Sequence, residues 1–419
     1  MGVRRHVGGA LMTLVTELEL EMFNIFDPDE AATMHPRLQT VLADGGWLVQ
    51  TPLWYSAVDH EAVHHLLTEP RLRTLGVTIV EMQGVTEGPL HDFSRRVILS
   101  LEGEDHTRLR RLVSRAFTPR AIERLRPTMR SFVTERARAM ARAGGGDLVT
   151  DLAEAYPIAV ICELVGAPKD DWPKFSEWAT QIFKQFNFDL LNDLPDIERA
   201  SLAVEEYLQA LVEERRGHPE DDLLSALIAV EEDDGDRLSA QELTDLVGAL
   251  LLAGTDTTRN QLGLMLLALA ANPEQWQKLR DDPSLVAQAV DESLRYDSTV
   301  AAAPRVVTET FEYRGVTFPE GTALSLLVIA ANRDPEVVRC PMDFDITADR
   351  GSWHPLSFGG GPHYCLGANL ARAELCEALD VLLHEWASFE LDGEPTMKPI
   401  LGLYGPQTMP LRVTPSSTP

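Results

Sequence analysis

Apolar residues recur at three- and four-residue spacing along most of the chain. The pattern is broken by Pro, Gly and Asp rather than by the evenly spaced short runs of an all-β protein. This spacing predicts helices over 104–117, 120–143, 148–165, 196–216, 240–271 and 284–297, and an amphipathic helix from Ala368 to Trp386. Strand signals are few: Val58, the stretch Val306 to Phe318 with its Tyr313-Arg314-Gly315 turn, Ala323 to Ile329, and Met409 to Val413. The expected architecture is mainly α with a minor β-sheet portion. Gly144-Gly145-Gly146 reads as a loop and Glu231 to Asp236 as a solvated turn, while residues 1–20 and 414–419 are expected to be peripheral or frayed. No internal repeat or shift in composition marks a boundary, so one large domain over 1–419 is expected.

The segment 240–271 is the most informative. Ser239 and Glu242 fit a capping box and Asn272-Pro273 a stop, which gives about 32 residues and about 48 Å of helix. Between Leu246 and Ala271 only Asp256 and Arg259 carry charge, so such a helix must be buried nearly all round. A membrane span is the competing reading, but Asp256, Arg259, Asn260 and Gln261 would each be costly in lipid. Ala253-Gly254-Thr255-Asp256-Thr257-Thr258 lowers helix propensity in the middle, where a buried helix should be most regular, and a local violation of that kind marks a functional site.

Charge narrows the function classes. The 419 residues include 65 acidic and 37 basic ones, a formal charge of −28 that repels phosphate backbones and argues against nucleic acid as a partner. The basic residues are segregated: from His106 to Arg142 eleven arginines face only Glu123 and Glu135, a local charge of +9. Cys162, Cys340, Cys365 and Cys376 form no C-x-x-C pair, which excludes a zinc ribbon and fits reduced thiols. Arg4-Arg5 precedes an apolar run ending at Val15, but Glu17, Glu19 and Glu21 cut it short and no cleavage site follows. With no stretch of about 20 apolar residues, no membrane span is expected and a cytoplasmic location is.

Phe358-Gly359-Gly360-Gly361-Pro362-His363-Tyr364-Cys365-Leu366-Gly367 is a glycine-rich loop ahead of the predicted helix. Cys365 therefore stands at a helix start, where free amides and the helix dipole lower a thiol's pKa and suit a metal-bound thiolate. Taken alone, the segment reads first as an ordinary buried cysteine, since free Cys is among the most buried residue types; a phosphate loop is a rival whose glycine spacing does not match.

With Phe358, Gly361, Cys365 and Gly367 the loop meets F-x-x-G-x-x-x-C-x-G, and here the chain resembles the cytochrome P450 family. Further matches occur in order: Ala253-Gly254-x-Asp256-Thr257 is similar to its oxygen-activation helix, Glu292 and Arg295 to its E-x-x-R helix, and Phe344-Asp345 with Arg350 to its meander. The resemblance runs from about Gly103 to the end and implies a single haem-thiolate monooxygenase domain of the soluble bacterial type. It implies Cys365 as axial ligand of haem b, Phe358 near the sulfur, Gly367 in the loop, and His106, Arg110, Arg305 and His363 as partners of the haem propionates. Glu292, Arg295 and Arg350 would form a structural network, and Asp256 with Thr257 would relay protons to dioxygen.

The resemblance further implies a pocket at Val85, Leu90, Phe186, Leu250, Ala253, Val300, Ala301 and Leu403, apolar and roomy enough for a terpenoid, steroid, fatty acid or macrolide, with no basic residue to clamp a carboxylate. With no G-x-G-x-x-G unit present, electrons from NAD(P)H are expected through a separate ferredoxin and ferredoxin reductase, docking at Arg108, Arg111, Arg115 and Arg372. The protein is expected to be a monomer. A haem-thiolate sensor, which would not need Asp256 and Thr257, and a haem-free helical interaction protein are the alternatives.

Overall fold

The computed structural model describes residues 6–7, 10–11, 13–24, 28–116, 118–186, 190–230, 237–351, 353–400 and 402–416. The expected turn Glu231 to Asp236 lies outside the described residues, as do the side chains of Arg115 and Phe186.

The predicted long helix forms as Ala240–Ala271, 32 residues, and runs through the core. Its capping box is in place: the Glu242 amide donates to Ser239 Oγ at 3.2 Å and the Ser239 amide to Glu242 Oε2 at 2.8 Å. Gly254 is there because the helix Ala155–Val165 crosses at this point. A Cβ on Gly254 would lie 2.7 Å from Ile161 Cδ1, so the bare backbone lets Ile161 pack directly against the central helix where a side chain would force it to shift.

Helix Pro119–Ala143 buries Ile122, Leu125, Met129, Val133, Ala137 and Met140 at helical spacing and packs on helix Ala368–Glu385. The arginine excess is largely spent at this contact. Arg126 and Arg130 reach Glu377 at 2.7 and 2.6 Å, Arg130 also reaches Asp380 at 2.7 Å, and Arg138 reaches Glu385 at 3.0 Å. The local +9 read from the sequence is therefore an inter-helix seam in good part, because its carboxylates come from a segment over 240 residues away.

Five strands, in the order Leu48–Gln50, Tyr55–Ala57, Ala323–Leu326, Ala303–Val307 and Leu72–Thr74, make the main sheet. A three-stranded sheet pairs Trp386–Leu391, Pro410–Pro415 and Gly145–Asp147.

Several boundaries differ from expectation. Val58 lies just past its strand, which ends at Ala57. The stretch 148–165 opens with a π turn, Val149–Ala153, before the α-helix. The stretch 306–318 is three strands, Ala303–Val307, Phe311–Tyr313 and Val316–Phe318; 323–329 is a strand to Leu326 and then a short helix, Val328–Ala331. Trp386 opens a strand instead of closing a helix. The triple glycine is partly an edge strand. The Leu411 carbonyl passes so close to Gly145 that no side chain fits there.

Candidate active site

The cysteine loop is folded by its glycines. Gly359 and Gly361 take φ of 71° and 63°, and the Cys365 amide closes the loop by donating to the Phe358 carbonyl at 2.9 Å. A Cβ on Gly361 would lie 2.9 Å from the Leu67 carbonyl oxygen, which explains why the loop can lie flat against residues 67–68. Helix Ala368–Glu385 begins directly after Gly367. Arg372, one turn in, places its guanidinium 4.5 Å from the Phe358 ring centroid and donates to Asp291 at 2.9 Å.

Cys365 has exposed surface, yet protein atoms surround the sulfur closely enough to strip much of its solvation. Burial pushes its thiol up, against the Gly367 amide and the charges of Arg110 and Arg372, which pull the other way. This corrects the expectation that the helix start alone lowers it. A bound cation would reverse the balance, since metal coordination removes a thiol proton outright.

Four cationic or titratable groups converge beside the cysteine. His106 is buried, and its ring lies 4.3 Å from that of His363. Arg110 donates to the Tyr364 carbonyl at 2.5 Å, and Arg305, 7% exposed, donates to the neighbouring Pro304 carbonyl at 3.0 Å. Among the described residues no ion pair joins Arg110 or Arg305 to a carboxylate, and burial lowers the pKa of both. The one carboxylate nearby is Glu102, 3.0 Å from His363. A buried guanidinium without a counter-charge is costly. Arg305 is buried, attracted by Glu102 but not bonded to it, and Arg110 is half-buried; both, with the thiol, fit a group that brings its own carboxylates and a metal for sulfur. Glu102 and the Tyr364 carbonyl belong to this cluster, and no sequence pattern pointed to them.

Glu292, Arg295 and Arg350 are brought together. Arg295 holds both Glu292 oxygens at 2.8 Å, and Arg350 donates to them at 2.9 and 3.1 Å. Arg295 also donates to the carbonyls of Pro341 and Asp343 at 2.8 and 2.6 Å, pinning the segment that leads to the cysteine loop.

Midway along the central helix, Ala253 is exposed although the helix is otherwise largely buried. The Thr257 hydroxyl donates to the Ala253 carbonyl at 2.7 Å. Asp256 does not bond Thr257; it pairs with Arg259 at 2.7 Å and with Lys398 at 2.6 Å. Lys398 was missed because it stands in a C-terminal stretch with no local motif.

The expected pocket is only partly assembled. Val85 and Leu90 are shut into an apolar cluster with Val80, Leu190 and Ile197, Ala301 packs into another with Phe23 and Leu38, and Leu250 leans on the main core. Val300 and Leu403 do meet, through an isolated β-bridge. A cavity opens a turn earlier along the central helix, between Phe93, Ile182, Leu208, Gly248 and Leu252. Of the expected docking arginines, Arg111 is exposed, while Arg108 is tied to Glu242 at 2.6 Å and Arg372 to Asp291.

Comparison with known proteins agrees with this geometry. Residues 81–407 match the family Cytochrome P450. Luteothin monooxygenase of Streptomyces thioluteus is 36% identical over 370 residues, covering 87% of this chain and 90% of that protein. Vitamin D(3) 25-hydroxylase of Pseudonocardia autotrophica is 41% identical over 281 residues, 66% of this chain and 67% of its own length. The crystal structure of CalO2 superposes with a TM-score of 0.86 at 28% identity, covering 94% of this chain and all of the other. On the thiol loop, the family match and these relatives together, the chain belongs to the cytochrome P450 family, whose members are haem-b monooxygenases.

Proposed function

We propose that this protein inserts one oxygen atom of dioxygen into a C–H bond of a lipophilic small molecule of terpenoid, steroid, fatty acid or macrolide type. It does so as a single domain, in the cytoplasm, with electrons passed from NAD(P)H by a ferredoxin reductase and a ferredoxin. The observation that carries the reading is the Cys365 thiol beside Arg110, which has no ion-paired carboxylate among the described residues, together with the buried Arg305, which is likewise not ion-paired among them.

Haem bound through the Cys365 sulfur supplies the activation of dioxygen. Around it, each residue of the chain has a stated task. Arg110, Arg305, His106 and His363 hold the propionates as charge-assisted hydrogen-bond donors. Phe358, pressed by Arg372, limits water at the sulfur. The Glu292, Arg295 and Arg350 cluster fixes the segment before the loop. The Thr257 hydroxyl donates and accepts, so it passes a proton from Asp256 toward the exposed space at Ala253 without admitting bulk water. Val300 and Leu403 form part of the substrate wall. The ferredoxin meets helix Gly103–Ala116 at Arg111, where charge reversal slows reduction of the protein and leaves ligand-induced spectra alone.

The test is spectroscopic and then chemical. The reduced, carbon monoxide-treated protein absorbs at about 450 nm, and Cys365→Ser loses that band. A colourless reconstituted protein, or an unaltered band in Cys365→Ser, overturns the reading. Titration with a set of terpenoids, steroids and macrolides, read by the ferric spin state, identifies the substrate class.

A further inference from the structure

Three glycines interrupt the central helix, and packing accounts for only two of them. A Cβ on Gly254 would lie 2.7 Å from Ile161 Cδ1, and one on Gly263 would lie 2.4 Å from Pro406 Cγ, so each makes room for a neighbouring element. Gly248 is different. It is buried and takes no left-handed φ, and a Cβ built on it meets nothing nearer than Leu208 Cδ1 at 3.7 Å and Phe93 Cε2 at 3.8 Å, ordinary contact distances. Alanine would fit, and in a helix interior it is the more stable choice. The bare position therefore weakens the helix without relieving any clash inside the protein.

What the missing side chain leaves is space. Gly248 lines the cavity between helices Pro89–Arg96, Trp172–Phe183 and Leu190–Gly217 and the central helix, where Phe93 and Leu208 both come within 4 Å of the absent Cβ. Leu252, one turn on, lines it too. Half-buried Ala249 is a helix neighbour of both Leu252 and the exposed Ala253, so the cavity lies beside the exposed surface at Ala253.

The polar groups that line this cavity are Ser201, Glu205, Thr244 and Asp245, and each presents lone pairs. The Ser201 and Thr244 hydroxyls give their protons to the Ile197 and Ala240 carbonyls at 2.8 and 3.0 Å. Asp245 is paired with Arg96 at 2.7 Å, while Glu205 accepts from Gln241 at 3.2 Å and bonds no cation among the described residues. A wall of acceptors takes a hydroxyl or N–H end and repels a carboxylate.

We propose that Gly248 is a specificity-determining residue: its missing side chain admits the remote end of an elongated lipophile between Phe93 and Leu208, and the acceptor wall selects an end that carries a hydroxyl or N–H. This deepens the monooxygenase reading given above and rests on it. Ala253 and Thr244 are nine residues apart on one helix, about 13 Å along its axis, so the substrate is a molecule long enough to span that distance. Free fatty acids, whose remote end is a carboxylate, are set aside.

The test uses the haem-loaded protein and two probe series that differ in the polar end. One is 5α-androstan-3β-ol, its 3-methyl ether and its 3-hemisuccinate; the other is dodecan-1-ol, dodecyl methyl ether and dodecanoate. Binding is read from the ferric spin state. In the tighter-binding series the alcohol has a Kd at least about tenfold below those of the ether and the carboxylate. Gly248→Val raises the alcohol's Kd at least about tenfold and Gly248→Ala raises it less, while the Kd of imidazole, which meets the iron and needs no cavity, stays at the parent value in both. Gly248→Ala melts no lower than the parent, because nothing inside the protein opposes the added methyl group. Glu205→Gln lowers the carboxylate's Kd at least about fivefold and shifts the alcohol's by less than about twofold. An alcohol that binds no better than its ether and carboxylate in either series, an alcohol Kd unaltered by Gly248→Val, or a carboxylate Kd unaltered by Glu205→Gln overturns the proposal. Any of these in a protein whose reduced, carbon monoxide-treated form absorbs at about 450 nm leaves the haem-thiolate reading standing; a parent protein without that band overturns that reading instead.

Discussion

Arg350 Nη2 reaches both carboxylate oxygens of Glu292, at 2.9 and 3.1 Å, although 58 residues separate the two in sequence. Arg295 grips the same oxygens from one turn away, with Glu292 4% and Arg295 1% exposed. One carboxylate thus serves two guanidinium groups. Glu292→Gln leaves both without a counter-charge and is expected to cost about 3–5 kcal/mol, seen as a lower urea midpoint together with reduced haem retention. A midpoint within experimental error of the parent would show that the network is not structural.

Thr257 supplies the one hydroxyl of its segment proposed to pass protons onward. Thr257→Ala is expected to keep reductant consumption within a few-fold of the parent while product falls and peroxide rises by about tenfold. The measurement is the ratio of product formed to NAD(P)H consumed.

His35 makes stability depend on pH. Burial, with the Arg333 guanidinium adding to it, lowers its pKa to about 3. The unfolded chain therefore binds the proton first, below the ordinary histidine value of 6.5, and stability falls as pH drops from there toward 3. About 2 kcal/mol is lost by pH 5 from this group. His35→Gln removes that portion of the slope, which thermal melts at pH 7.5 and 5 will read.

Asp297 acts with the opposite sign. Burial raises its carboxyl to about 6 despite the attraction of Arg333, so the folded protein holds the proton more tightly than the unfolded chain. Stability from this group is present in acid and is lost as pH rises through about 6. Asp297→Asn is expected to stabilise the protein by about 2 kcal/mol at pH 7.5 and by less at pH 4.5. Equal gains at both pH values would remove the carboxyl's ionisation as the cause.

Local patterns were readable where a residue's role depends on near neighbours. The Ser239 and Glu242 capping box, the burial of the 32-residue helix and the closure of the cysteine loop by its glycines all follow from spacing within a few positions. The sulfur's environment was misread because burial, set by distant elements, outweighs the helix-start effect on Cys365. The pocket was misread for a related reason. Val85, Leu90 and Ala301 are apolar in sequence, and apolar residues fill clusters as readily as they line cavities.

Sequence alone thus determined the helical architecture and the glycine-rich cysteine loop, because periodicity and capping act over one or two turns, whereas the Glu292, Arg295 network followed from the family resemblance, since i,i+3 spacing by itself reads as a weak surface contact. Tertiary structure decided which charges cancel. The Arg126 and Arg130 charges are met by Glu377, Arg108 by Glu242, and Asp256 by Lys398 from 142 residues away. Ion pairs form wherever packing brings opposite charges within about 4 Å, and no local pattern records which distant segments will meet.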